Sequence, residues 1–88
     1  MSKKETLVNP NPEIDGYISN AETAIKIAEA VWLPIYGEGI YNKKPFKAEL
    51  KDSIWVVEGT VSPDKLGGAP YLRIQKKDGK ILEVTHFQ

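Results

Sequence analysis

The stretch from Ser19 to Tyr36, SNAETAIKIAEAVWLPIY, predicts the single long helix of the fold. Ser19 and Glu22 have the spacing of a capping box, in which each side chain accepts a hydrogen bond from a backbone N–H of the first turn. Apolar residues then recur three and four positions apart, which is typical of a helix with one buried face. The members of this stripe are Ala21, Ala24, Ile25, Ala28, Val31, Trp32 and Ile35.

Pro34 lies inside this pattern. Proline has no backbone N–H and its ring presses on the preceding turn, so it kinks or ends a helix. Because the two residues after Pro34 continue the stripe, the sequence predicts a kink and one further turn, ended by a left-handed Gly37 or Gly39. Tyr41–Pro45 is then predicted to be a connecting loop.

After Pro45 the apolar period changes from 3.6 to 2, which predicts β-strands. Residues 46–51 and Ile54–Val61 form a predicted hairpin, joined by a two-residue turn at Asp52-Ser53. This turn sets Leu50 opposite Trp55 on the core face and the opposite charges of Lys47 and Glu58 on the far face. The residues of the second strand predicted to face the core are Trp55, Val57, Gly59 and Val61.

A second hairpin follows the breaker-rich loop Ser62–Ala69. Tyr71–Lys76 and Ile81–His86 are its predicted strands. A two-residue turn would mix core and solvent residues on each face, so a three-residue loop with a left-handed Gly79 is favoured. The resulting pairs are Leu72 with Val84, Arg73 with Glu83, and Ile74 with Leu82.

These elements predict an α+β fold in which the kinked helix covers one face of a four-stranded antiparallel meander. Residues 14–88 form one predicted domain, since 88 residues suit a single core. Residues 1–13 are predicted to be a flexible arm, because Asn9–Pro12 alternates asparagine with proline and prevents regular structure.

Composition narrows the function classes. Twelve Lys and Arg balance twelve Asp and Glu, so no net charge attracts nucleic acid or an anionic membrane. No apolar run approaches the ~20 residues of a membrane span. The charged start, Met1 to Thr6, lacks the apolar centre of a signal peptide and predicts a cytoplasmic protein, although a leader replaced by Met1 would leave no trace.

The sequence contains few residues that could act in catalysis. The chain has no Cys, and its one His, His86, has no nucleophile motif to serve. No acid–base pair and no set of metal ligands emerges, so the sequence predicts a non-enzymatic protein without cofactor or metal.

One helix covers only one face of the sheet, so the other face is the predicted partner site. Its predicted members are Lys47, Glu49, Val56, Glu58, Thr60, Tyr71, Arg73, Gln75, Ile81, Glu83 and Thr85. Tyr71, Arg73 and Glu83 are placed near the centre, with Glu58, Thr60 and Thr85 beside them, because Tyr and Arg are frequent binding hot spots. A plain solvated sheet face with an Arg73–Glu83 ion pair is the alternative.

Six segments of the sequence carry a family resemblance. Residues 24–30 (AIKIAEA), 34–37 (PIYG), 44–46 (KPF) and 55–60 (WVVEGT), in this order, resemble the immunity proteins with a nuclear transport factor two-like fold. The segments 67–71 (GGAPY) and 78–86 (DGKILEVTH) extend the likeness over residues 17–86. The resemblance implies a cystatin-like cone of one helix on an antiparallel sheet, and binding of a cognate toxin from a bacterial polymorphic toxin system.

The sequence is also compatible with two other functions. One is a small ligand-binding member of the wider cystatin-like fold, which would need polar residues facing the inside of the cone. The other is a self-associating structural domain that forms a homodimer through the open sheet face. The identity of the neighbouring gene would separate them, since a toxin gene favours immunity.

Overall fold

The computed structural model describes residues 16–61 and 68–86. In chain order it contains a helix α1 (Ala21–Tyr36), a 3-10 helix (Glu38–Lys43) and four strands. The strands are β1 (Lys47–Lys51), β2 (Ile54–Glu58), β3 (Pro70–Gln75) and β4 (Ile81–His86), paired antiparallel in the order β1-β2-β3-β4. The predicted α+β meander is therefore confirmed. The predicted arm, residues 1–13, and residues 62–67 of the predicted loop lie outside the described residues.

The start of α1 differs from the prediction. The N-cap is Asn20, whose side-chain Oδ1 accepts a hydrogen bond from the Thr23 N–H at 2.8 Å. The predicted capping box of Ser19 and Glu22 was therefore wrong by one residue. Asn and Ser are comparable N-caps, so the side-chain type alone does not choose between neighbouring positions.

The end of α1 follows the prediction more closely. The helix continues through Pro34 to Tyr36, and Gly37 ends it with a φ of 80° and an N–H donated to the Leu33 carbonyl at 2.8 Å. The buried positions of α1 recur every fourth residue and stop at Trp32, so Ile35 is 57% exposed and leaves the predicted stripe. The kink at Pro34 stays a prediction.

The segment after α1 is more ordered than predicted. A 3-10 helix, Glu38–Lys43, takes up part of the predicted Tyr41–Pro45 loop. Ile40 is buried in the core at this point. Its burial offsets the poorer hydrogen bonding of a 3-10 turn, and only the tertiary structure reveals that Ile40 has a core to join.

The register of the first hairpin is confirmed. Leu50 pairs with Trp55 and Lys47 with Glu58 around the two-residue turn, in which Asp52 and Ser53 both have positive φ. Positive φ at both turn residues matches the twist of a tight hairpin. Leu50 itself is 44% exposed, because it lies on an edge strand of the sheet.

Strand β2 is shorter than predicted and ends at Glu58. The Gly59 N–H still reaches the Pro70 carbonyl at 3.0 Å, but the Thr60 N–H turns to the Lys43 carbonyl at 2.7 Å. The chain thus leaves the sheet at this point. Val61, predicted to face the core, is 49% exposed as a result.

The second hairpin contains one irregularity. Leu72 pairs with Val84 and Arg73 with Glu83 as predicted, and Gly79 has the predicted positive φ of 80°. The next residue of β3, Ile74, pairs with Ile81 instead of Leu82. Strand β4 therefore carries one extra residue, a β-bulge, and the predicted Ile74–Leu82 pair was wrong.

The core lies between α1 and the sheet. Trp32 is fully buried against the Phe46 ring, with centroids 5.3 Å apart in an edge-to-face arrangement. Trp55 closes the other end of the core, where its Nε1 donates to the Ile18 carbonyl at 2.7 Å. The buried apolar residues are Ile18, Ala24, Ala28, Trp32, Ile40, Phe46, Trp55, Val57, Ala69, Leu72 and Ile74.

The helix is not centred on the sheet. It packs mainly on β1 and β2, touches β3 less, and has no extensive contact with β4. Val84 of β4, which packs against the core from the helix side, is consequently only half-buried.

Candidate functional site

The face of the sheet opposite α1 is organised in three rows of side chains. The observed registers align residues across the strands, and alternate residues of a strand share a face. The first row contains Lys47, Glu58, Tyr71 and Thr85; the second Glu49, Val56, Arg73 and Glu83; the third Lys51, Ile54 and Gln75. We call these eleven residues the open face.

The centre of the open face combines apolar and charged groups. Val56 and Tyr71 are half-buried beside Arg73, whose Nε donates to Glu83 Oε1 at 3.0 Å. The Arg73 and Glu83 side chains remain 38% and 43% exposed. An exposed ion pair of this kind contributes under ~1 kcal/mol to stability, so its groups can exchange this contact for a partner at little cost.

Five of the six predicted site residues meet on this face. Glu58, Tyr71 and Thr85 are neighbours in the first row, and Arg73 and Glu83 are neighbours in the second. This placement confirms their register, while their role in binding stays a prediction.

The sixth predicted site residue, Thr60, lies beyond the end of β2. Its Oγ1 donates to the Pro45 carbonyl at 2.7 Å, and its N–H donates to the Lys43 carbonyl. Thr60 therefore attaches the segment after the 3-10 helix to the end of β2.

The open face also differs from the prediction at two isoleucines. Ile54 was missed, although alternation from Val56 would have found it; it is half-buried in the third row. Ile81 was assigned to this face, but the bulge pairs it with the core residue Ile74. Its placement was wrong because one extra residue in a strand changes the face of everything beyond it.

The interior offers little polar chemistry. Among the described residues no polar or charged residue is buried, and the one buried side-chain N or O atom without a hydrogen-bond partner is Trp32 Nε1. His86 is half-buried with its ring 5.3 Å from the Tyr36 ring. No group of three His, Cys, Asp or Glu within residues 16–61 and 68–86 is placed to hold a metal ion.

Two hydrogen bonds to carboxylates, both outside the open face, shift the pKa of a side chain. The Tyr41 hydroxyl donates to Glu29 Oε2 at 2.9 Å, which raises the pKa of Tyr41 above its usual 10.0. In the second hairpin the Lys80 N–H donates to Asp78 at 3.0 Å and lowers the pKa of Asp78. Both groups are exposed and support local structure, so neither forms a catalytic pair.

The family model described as NTF2 fold immunity protein matches residues 23–88 of the chain. This protein belongs to that family. The NTF2 fold agrees with the single helix on a four-stranded antiparallel sheet, and the predicted family and fold are both confirmed. Membership assigns an immunity function in general terms and favours a non-enzymatic role.

The chain is also similar to a curated relative, Uncharacterized protein YhhH of Escherichia coli (strain K12). The two are 32% identical over 71 residues, which cover 78% of this chain and 56% of the relative. The chain thus aligns with just over half of the length of YhhH. No solved structure gives a significant match. In the part of the chain that the structure describes, no helix has the length and apolar character needed to cross a membrane.

Proposed function

We propose that this immunity protein neutralises a cognate bacterial toxin by binding it through the open face. The observation that carries the proposal is the composition of that face. Half-buried Ile54, Val56 and Tyr71 lie among charged residues, on the side of the sheet that α1 leaves uncovered. An apolar centre with a polar, charged rim is the usual anatomy of a protein–protein interface.

The charges of the open face favour a protein partner over a nucleic acid. The three cations Lys47, Lys51 and Arg73 are interspersed with three anions, Glu49, Glu58 and Glu83. A surface for phosphate backbones would be dominated by cations, and its affinity would fall steeply with salt. The mixed pattern instead matches a partner that presents both signs of charge in a fixed arrangement.

The interior supports binding over catalysis or capture of a polar small molecule. A ligand cavity usually contains a few converging polar groups, and active sites contain titratable groups with perturbed pKa values. Among the described residues the core side of the sheet supplies one unpartnered N–H, on Trp32, and no buried charge.

Co-expression with the toxin domain encoded by the neighbouring gene tests the proposal. Wild-type protein should restore growth and should be captured by the immobilised toxin domain. The double variant Tyr71→Ala/Arg73→Ala should lose capture, because truncating a central Tyr and Arg typically costs more than 1 kcal/mol each.

A matched control removes a comparable exposed ion pair from the other side of the molecule. Lys26 and Glu22 are 3.6 Å apart on the outer face of α1, with side chains 74% and 79% exposed. The variant Glu22→Ala/Lys26→Ala should retain capture. Full capture by a folded Tyr71→Ala/Arg73→Ala variant would contradict the proposed face and would move the site to the end of α1 and the Ser62–Ala69 loop.

A further inference from the structure

The backbone hydrogen bonds of β3 show which way the groups of β4 point. The Pro70 carbonyl accepts from Gly59 on the β2 side at 3.0 Å, whereas the Gln75 N–H donates to Lys80 on the β4 side at 2.8 Å. Residues of an antiparallel strand direct their N–H and C=O alternately to the two neighbouring strands. Tyr71 and Arg73 therefore bond to β4.

It follows that one set of β4 backbone groups faces away from the sheet. Thr85 and Glu83, the partners of Tyr71 and Arg73, use their N–H and C=O on β3. Val84 and His86 alternate with these positions along the strand, so their N–H and C=O point outwards. Within residues 16–61 and 68–86 the sheet ends at β4, and no other strand pairs with this edge.

The two edges of the sheet are protected to different degrees against pairing with a further strand. Edge strand β1 carries three charged residues, Lys47, Glu49 and Lys51, and α1 packs beside it. Charged side chains, Lys above all, discourage further strand pairing. Strand β4 has one Asp, Glu, Lys or Arg residue, Glu83, which is already paired with Arg73. The helix packs far less on β4 than on β1, although the Tyr36 ring at its end lies 5.3 Å from the His86 ring.

We infer that the β4 edge pairs antiparallel with the β4 edge of a second copy of this chain, about a two-fold axis at Val84. In this register Val84 lies opposite Val84 of the second copy, and Glu83 lies opposite Thr85. Leu82 lies opposite His86 of the second copy. The half-buried Val84, which packs against the core from the helix side, then covers Val84 of the second copy.

Charge selects this register among its neighbours. Moving the two-fold axis by one residue to Glu83, which slides the strands past each other by two residues, sets Glu83 directly opposite Glu83, and like charges facing each other across strands are destabilising. A shift in the other direction pairs Thr85 with Thr85 and aligns only residues 84–86 of the described chain. The Val84-centred register aligns residues 82–86 without facing charges.

The resulting assembly is an eight-stranded sheet whose two open faces lie on the same side. Pairing at the edge uses the backbone groups of β4 and does not require Tyr71 or Arg73. The inference is therefore independent of toxin binding, and either can fail alone.

Sedimentation velocity of the purified protein over a range of concentrations tests the inference. Wild type should approach twice the chain mass of 9.8 kDa. Thr85→Glu should lose the dimer, because it places two Glu–Glu pairs across the edge. The matched variant Thr85→Lys should keep the dimer, because it places Lys opposite Glu83 of the second copy.

A wild-type protein that stays monomeric at all concentrations would overturn the inference. Equal behaviour of the two variants would also overturn it, since only the Val84-centred register treats the two charges differently. Amide hydrogen exchange decides the matter without any substitution. The N–H groups of Val84 and His86 should become protected as concentration rises, while those of Glu83 and Thr85, bonded to β3, stay protected throughout. Fast exchange of Val84 and His86 at high concentration would refute the pairing.

Discussion

Replacing each tryptophan by phenylalanine should separate the contribution of hydrogen bonding from that of burial. Trp55→Phe and Trp32→Phe make the same chemical change, the loss of a pyrrole ring and one N–H. Trp32 is the more buried of the two, at 0% exposed against 8% for Trp55. If burial alone decided, Trp32→Phe would therefore be the more destabilising substitution.

The loss of hydrogen bonding predicts the opposite, that Trp55→Phe is the more destabilising substitution. Trp55 Nε1 donates to the Ile18 carbonyl at 2.7 Å, so Trp55→Phe leaves a buried acceptor unpaired at a cost of about 1–3 kcal/mol. Trp32 Nε1 has no acceptor among the described residues, so Trp32→Phe removes an N–H that was already unsatisfied. We expect Trp55→Phe to lower the free energy of unfolding by roughly 1–3 kcal/mol more than Trp32→Phe.

Urea denaturation followed by circular dichroism measures both values, with a shared m-value as the check that both variants unfold from similar states. Trp55→Ala sets the scale, because truncating the whole buried indole should cost roughly 3–5 kcal/mol. Equal losses for the two Phe variants, or a larger loss for Trp32→Phe, would refute the importance of the Trp55–Ile18 hydrogen bond. An unchanged midpoint for Trp55→Ala would place the indole in solvent.

Three further results are expected. Arg73→Ala should change the free energy of unfolding by less than ~1 kcal/mol, because its ion pair is exposed; a larger loss in thermal or urea unfolding would make it structural. Gly16→Ala should destabilise clearly, since φ is +77° and a Cβ there would lie 2.5 Å from the Lys76 carbonyl oxygen; a wild-type melting temperature would contradict this close approach. NMR titration of Asp78 should give a midpoint below its usual 3.8, because the Lys80 N–H stabilises the carboxylate. The stability from this contact is present above pH 3.8 and lost as pH falls through the lowered pKa, so a midpoint at or above 3.8 would contradict it.

The strand registers were predictable from sequence because two local rules determine them. Alternation assigns residues to faces, and the length of a turn sets which residues lie opposite. Together they predicted the Lys47–Glu58 pair correctly. Arg73 also lies opposite Glu83 as predicted, but the loop of the second hairpin has four residues, 76–79, and not the predicted three, and the bulge in β4 offsets the difference. The bulge at Ile81 was not predictable, since Ile81 and Leu82 are both apolar and either fits the core side.

The candidate site was predictable to the extent that it follows from strand alternation. Tyr71, Arg73 and Glu83 share a face because each lies in a regular part of a strand. Thr60 and Val61 departed from expectation because the chain after Glu58 bonds to Lys43, a contact between distant parts of the sequence. The N-terminal end of α1 differed by one residue because the adjacent Ser19 and Asn20 have similar capping strength.

The segment before the helix has a consequence for the order of folding. Each strand pairs with its neighbour in sequence, so every strand pairing needs the closure of one connecting loop. The Ile18 N–H, in contrast, donates to the Lys76 carbonyl, and the Ile18 carbonyl accepts from Trp55, 37 residues away. These contacts close much longer loops. The entropy lost on closing such a loop is offset only after both hairpins have formed and can supply the partner groups. We therefore expect the sheet to form early and Ile18 to dock late, so that weakening the Ile18–Trp55 contact accelerates unfolding while leaving the folding rate nearly unchanged.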